Sequence, residues 1–237
     1  MALNEWLTID GLLAKLSHAL ADRSPLSLVR IGDGENLILA QDSIWSLGRV
    51  LNERWAIKAN NGAKGVSLPN LLLRDEMVDA IKKADIIGML PPGDKTINAP
   101  DYLKRPMTDQ LFAHYGIAAR YSCDARINRD LAGHEAFWHL LRGRRILLVT
   151  REVDQINTIL SGKPYWQQIA MTIPFSHYDQ MTDALQQIAA NRHRFDVALF
   201  SCGVNAVVLA QRTAEMTGAV CLDFGKAANI LIHGKPN

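Results

Sequence analysis

The sequence is poor in the features that usually announce a function. It has three cysteines in 237 residues, Cys123, Cys202 and Cys221, an odd number without metal-site spacing. No disulfide framework or zinc site is expected, and the thiols read as reduced and buried. His114, His134, His139, His177, His193 and His233 are scattered without ligand spacing. A formal net charge of +2 gives no electrostatic case for a nucleic-acid partner. No apolar run approaches the roughly 18 residues that a membrane span needs, so the chain is not expected to cross a membrane. The start, Met1-Ala2-Leu3-Asn4-Glu5-Trp6, shows no basic patch followed by an apolar stretch, and a cytoplasmic protein is expected. Repeats, low-complexity tracts and Pro/Gly/Ser linkers are also lacking, which favours a single domain over residues 1–237.

What remains is ordinary in amount, 48% apolar and 21% charged, and informative in order. Apolar runs of strand length alternate with amphipathic segments of helix length, the rhythm of βα units. Ile9, Leu12, Leu13, Leu16 and Leu20 mark an opening helix that ends before Arg23-Ser24-Pro25, and Leu26–Ile31 reads as a buried strand. Pro69 is expected to start a helix through Ile81, followed by a strand at 86–90 and a loop at 94–98. A helix over 108–115 should stop at Gly116, and Asn128 is expected to cap one running through Phe137, Trp138 and Leu141 to Gly143. Strands are expected at 146–149, 169–175, 197–200 and 220–223, with helices at 153–160, 181–190 and 206–216 between them. The expected fold class is α/β, doubly wound, with a mostly parallel sheet and helices on both faces.

The first strand carries the densest chemistry. Arg30 and then Gly32-Asp33-Gly34-Glu35 crowd a cation, two carboxylates and two glycines after an apolar run. The apolar residues after Glu35 start a helix, so the carboxylates sit in a strand-to-helix turn, at the sheet edge where ligands bind. Gly32 and Gly34 let a ligand approach the backbone. Asp33 and Glu35, two apart, point the same way if the turn stays extended. Such a pair suits a divalent cation, a sugar hydroxyl or a ribose; Asp-Gly is equally a common turn pair, and an Arg beside acids is often only an ion pair.

Two further strand ends carry polar groups. Phe200-Ser201-Cys202-Gly203-Val204-Asn205 leads from a strand into a helix whose free N–H groups would welcome a phosphate. It lacks the glycine spacing of a dinucleotide fingerprint or a P-loop, and the same residues cap helices. Asp223 and Lys226 leave the last strand, and Arg151 the strand at 146–149. Trp55 lies by a Gly/Asn/Lys-rich segment, 58–65, that looks like a mobile substrate loop.

Taken together, Val29-Arg30-Ile31-Gly32-Asp33-Gly34-Glu35, the turn around Gly203 and Asn205, and Leu222-Asp223-Phe224-Gly225 resemble the GT-D glycosyltransferase family, over roughly residues 20 to 230. That family carries an Arg-Phe-Gly-Asp-Gly-Glu signature and an Asp-x-Gly ending. The resemblance implies a Rossmann-like transferase that takes a sugar, a hexose or N-acetylhexosamine, from a nucleotide diphosphate donor such as a UDP-sugar. The acceptor would be a glycan, lipid-linked or protein-bound. It also implies that Asp33 and Glu35 serve catalysis and hold Mn²⁺ or Mg²⁺, with Gly32, Gly34, Gly203, Asn205 and Asp223 around the nucleotide sugar. Beside them Arg30 is expected to pair with a phosphate in a bidentate fork or to hold Glu35 in position, and Arg151 is another candidate to meet the phosphates. Two positions depart from the pattern: Ile31 replaces the aromatic residue, and Lys226 stands where family members carry a histidine. A protonated lysine is a poor metal ligand and a good phosphate cation. Lys226 is therefore expected to replace part of the metal's charge, which puts metal dependence in doubt. A nucleotide-sugar-binding module without catalysis, as a partner subunit of another transferase, is the alternative; an oligomer is compatible with either.

Overall fold

The computed structural model describes residues 5–235. Eight strands form one sheet: β1 (Glu5–Trp6), β2 (Leu26–Ile31), β3 (Ile86–Met89), β4 (Tyr121–Asp124), β5 (Arg145–Thr150), β6 (Gln168–Pro174), β7 (Val197–Ser201) and β8 (Val220–Asp223). Their order is β1-β4-β3-β2-β8-β7-β5-β6, and every pairing is parallel. Central strands such as β7 are apolar almost throughout because both of their faces are covered. One apolar cluster lies under helices Asp33–Ala40, Leu71–Lys83, Arg105–Tyr115, Met181–Ala190 and Ala206–Thr217. A second packs beneath Ile9–Asp22, Ile127–Gly133, Glu135–Leu140, Val153–Ser161 and Ala227–His233. The doubly wound α/β expectation holds, with the sheet parallel throughout.

Adjacent strands β2 and β8 define the switch point. The helix that follows β2 covers one face, whereas the helix that follows β8 covers the other. Their carboxyl ends therefore open a crevice, where ligands of such sheets bind. The β2/β8 register runs from Leu26↔Val220 to Leu28↔Leu222, although β2 continues to Ile31.

Several elements differ from the sequence reading. β1 and β4, of two and four residues, carry no sequence signal of their own. The helix after Pro69 begins at Leu71, capped by Asn70, whose side chain accepts from Leu73 N–H at 2.8 Å. The expected helix from Asn128 to Gly143 is two, separated at His134, whose φ of −89° and ψ of 109° are extended. Asn128 lies inside the first of them, with its amide turned to the site instead of to a cap. A short helix, Arg54–Asn60, takes up the first residues of the 58–65 segment read as a mobile loop, and another, Leu47–Leu51, precedes it.

Candidate active site

The helix after β2 starts earlier than its apolar residues suggest. Gly32 is its extended N-cap and Asp33 its first residue, and Glu35 Oε2 accepts from Gly32 N–H at 2.9 Å, satisfying an end donor. The expectation of an extended turn with parallel carboxylates is thus corrected. Asp33 and Glu35 sit about 200° apart around a helix axis. Both still line one cleft of about 640 Å³, together with Arg30, Gly32, Gly34, Arg151, Gly203 and Lys226. Burial, with the charge of Asp223 adding and that of Arg30 opposing, pushes the Glu35 carboxyl up to about 7. Asp33 accepts no hydrogen bond from the described residues and is open to the cleft.

Arg30, expected either to grip a phosphate in a bidentate fork or to hold Glu35 in position, makes its hydrogen bonds to other groups. Its Nε donates to Asp223 O at 2.9 Å and Nη2 to Asp223 Oδ1 at 2.7 Å. Nη1 donates to Ala125 O at 3.0 Å and Asn128 Oδ1 at 3.1 Å. Four of the five donors of a guanidinium are committed, so no fork is left for a ligand. Asn128 in turn donates to Phe224 O at 2.8 Å. Two glycines make room: a Cβ on Gly88 would lie 3.0 Å from Arg30 Cγ, and one on Gly225, where φ is +44°, only 1.8 Å from Nη2. This explains in physical terms why an Arg after an apolar run and a distant Asp-x-Gly belong together. Asp223, 1% exposed, is Arg30's anchor and does not reach the cleft wall. Burial raises its pKa, with Arg30 the main opposing influence.

Asn205 is likewise corrected from ligand group to strut. It is fully buried, and its Nδ2 donates to Gly65 O at 2.9 Å and Cys202 O at 3.3 Å. Tyr178 N–H also donates to Gly65 O, at 2.9 Å, so the end of the 58–65 segment is pinned. Gly203, with φ +60°, faces the cleft beside Ser201 and Cys202. Arg151 is exposed on the cleft wall, its Nη2 3.5 Å from Ser176 O. Lys226 has its pKa lowered by partial desolvation, then by repulsion from Lys64 and Arg129, with Asp33 opposing.

The sequence reading missed Arg126 and Arg129 and held Lys64 only as part of the 58–65 substrate-loop segment beside Trp55; all four line the cleft. The two arginines follow β4, the strand without a signal. Arg126 pairs with Asp124, and its Nη1 lies 3.3 Å from Asp94 Oδ1. Asp94, its side chain fully buried, accepts from Thr96 Oγ1 and from the N–H groups of Thr96 and Ile97, and thereby shapes the 94–98 loop. Arg129 is half-buried; desolvation and the charges of Arg30 and Arg126 lower its pKa. Gly34 lies against the Trp55 indole, where a Cβ would come within 2.7 to 2.9 Å of three ring atoms.

The wall holds six cationic residues, Arg30, Lys64, Arg126, Arg129, Arg151 and Lys226, against three acidic ones, Asp33, Glu35 and Glu152. That balance suits a multiply charged anion. For Mn²⁺ or Mg²⁺ the donor set fits poorly. Asp33 and Glu35 diverge, one Glu35 oxygen is tied to Gly32, and Asp223 is held by Arg30. Among the described residues no three of His, Cys, Asp and Glu gather as metal ligands.

A doubly wound parallel sheet with a cationic cleft at its switch point defines an α/β protein of the Rossmann-like type. The model of the GT-D fold-like domain matches residues 7–231, and the chain belongs to that family. Among solved structures, a glycosyltransferase (DUF1792) from Streptococcus sanguinis superposes with a TM-score of 0.64 at 15% identity, over 99% of this chain and 87% of that one. Another, described as the domain of unknown function 1792 with a distinct glycosyltransferase fold, gives 0.62 at 17% identity, over 99% and 84%. These likenesses are of fold. No curated protein matches the sequence. Among the described residues no helix is long and apolar enough to cross a membrane.

Proposed function

We propose that the chain is a glycosyltransferase that moves a hexose or N-acetylhexosamine from a UDP-sugar to a glycan, lipid-linked or protein-bound acceptor. The observation that carries this reading is the meeting of an open carboxylate, Asp33, with a wall of cations in one cleft at the switch point of a GT-D sheet. In the transfer, the bond between the anomeric carbon and a diphosphate oxygen breaks with its electron pair on the diphosphate. The acceptor oxygen bonds to that carbon and its proton passes to solvent water. Charge growing on the diphosphate needs fixed positive groups aimed at it, and Lys226 and its neighbours supply them. Asp33 is placed to accept from a sugar or ribose hydroxyl. Glu35 holds the turn by its bond to Gly32 N–H, and Gly34 leaves room for the Trp55 indole on the cleft wall.

Calorimetric titration with UDP, paired with hydrolysis and transfer assays on a panel of UDP-sugars, tests the reading. Saturable UDP binding together with release of UDP from one donor supports it. Binding without turnover of any donor would make the protein a nucleotide-sugar-binding module instead, and no binding at all would remove the reading.

A further inference from the structure

Resting on the donor reading above, we infer that the diphosphate is held by Lys64, Arg129 and Lys226 in the place of a divalent cation. Of the other cleft cations, Arg30 is engaged with Asp223, Arg126 with Asp124 and Asp94, and Arg151 with Ser176 O. Arg129 and Lys64 have no carboxylate within ion-pair distance among the described residues, and the Lys64 ammonium rests 5.8 Å from the Trp55 ring centroid. All three groups line the same cleft. Lys64 and Arg129 both repel the charge on Lys226, an effect that falls with distance, so the three heads share one region.

Each arm is fixed from a different side of the crevice. Lys64 precedes Gly65, pinned by Asn205 and Tyr178. Arg129 follows Asn128, braced by Arg30 and Phe224. Lys226 follows Gly225, which packs on the Arg30 guanidinium. Three cations held together raise the free energy of the empty cleft, and an anion of two or three charges relieves it. A divalent cation would be held by one or two carboxylates together with the phosphate oxygens, and here Glu35 is tied to Gly32 N–H and Asp33 stands among six cationic residues that repel a second positive charge.

The test is calorimetry with inorganic pyrophosphate and with UDP, in excess chelator and in Mn²⁺, on the intact protein. Affinity in chelator should match that in Mn²⁺ within about twofold. Arg129→Ala, Lys64→Ala and Lys226→Ala should each weaken both ligands by about tenfold or more, the loss of one charge-assisted contact. Lys82→Ala, on an exposed helix turn away from the cleft, should leave binding unchanged. Thermal unfolding checks that each variant is folded. Binding lost in chelator and restored by Mn²⁺ overturns the inference, as does an unchanged affinity in folded Arg129→Ala. The outcomes separate from those of the transfer reading: sugar transfer that strictly requires Mn²⁺ keeps the transferase and removes the trio. Pyrophosphate held by the trio without turnover of any UDP-sugar does the reverse.

Discussion

Replacing Gly225 by alanine tests the lock beneath the site. The new Cβ would stand 1.8 Å from Arg30 Nη2, closer than any non-bonded contact, so the guanidinium must retreat. An alanine at φ +44° costs about 1–2 kcal/mol in backbone strain. Retreat forfeits the charge-assisted bond to Asp223 Oδ1, about 1.5–3 kcal/mol, and leaves a buried carboxylate unpaired. A total of about 3–5 kcal/mol is expected, which for a chain of this size lowers Tm by about 6–20 °C. The same substitution in an Arg30→Met background meets no guanidinium and should cost only the strain, about 1–2 kcal/mol. Urea unfolding of the four proteins, with unchanged m-values, yields the cycle. A coupling of about 2–3 kcal/mol is the expected result. Equal costs in the two backgrounds would refute the lock.

Three further outcomes follow from the same geometry. Asp33→Asn should abolish donor turnover with Tm within about 2 °C of the parent, because its carboxylate takes no hydrogen bond from the described residues; retained turnover would place the chemistry elsewhere. Gly34→Ala should push the Trp55 indole aside, shifting tryptophan emission and lowering turnover by about tenfold, while stability falls by less than about 1.5 kcal/mol since Trp55 is only part-buried. Glu35 has a folded pKa of about 7, raised from 4.5 by burial, so the folded state holds its proton more tightly than the unfolded one. Its contribution to stability is complete below about pH 4.5 and is lost as pH rises through 7, by about 3 kcal/mol at most. The Tm of Glu35→Gln, measured from pH 5 to 8, should lack that part of the fall; parallel curves for both proteins would contradict it.

The sheet was legible because a parallel strand covered on both faces must be apolar along its length. β2 and β8 match their expected bounds for that reason; helix Met181–Ala190 also matches, and Ala206–Thr217 runs one residue past its expected end, stopping before Gly218 in the left-handed region. β4 was not legible: Tyr121 and Asp124 at its ends are half-exposed and only two residues between them are buried. Missing β4 hid Arg126 and Arg129, since neither stands at the end of a recognised strand. Asn128 was misread because an asparagine before an apolar segment looks like a cap, and only the fold shows its amide bridging Arg30 and Phe224. Charge in a turn is ambiguous in the same way. Sequence shows Arg30, Asp33, Glu35 and Asp223 alike as polar groups at strand ends, and their partners separate them: Arg30 and Asp223 are paired with each other, whereas Asp33 faces the cleft.

That separation explains how the cleft can be open and well ordered at once. Main-chain pairing between β2 and β8 stops at Leu28↔Leu222, one residue before Asp223 and three before the end of β2. Beyond that point the two strands must diverge if a ligand is to enter between them, and nothing in the backbone ladder then fixes their spacing. Arg30 takes over where the ladder ends, its head joining β8, the segment after β4 and Asn128. The guanidinium suits this task better than an ammonium would, because its planar fork reaches a carboxylate and carbonyls in fixed directions. Spacing set by a side-chain bridge leaves the first turns after both strands free to present Asp33 and Lys226 from opposite faces of the sheet. The lock and the anion wall are therefore distinct in what they should control: loss of the lock lowers stability first, and loss of Arg129 or Lys64 lowers ligand affinity in a protein that remains folded.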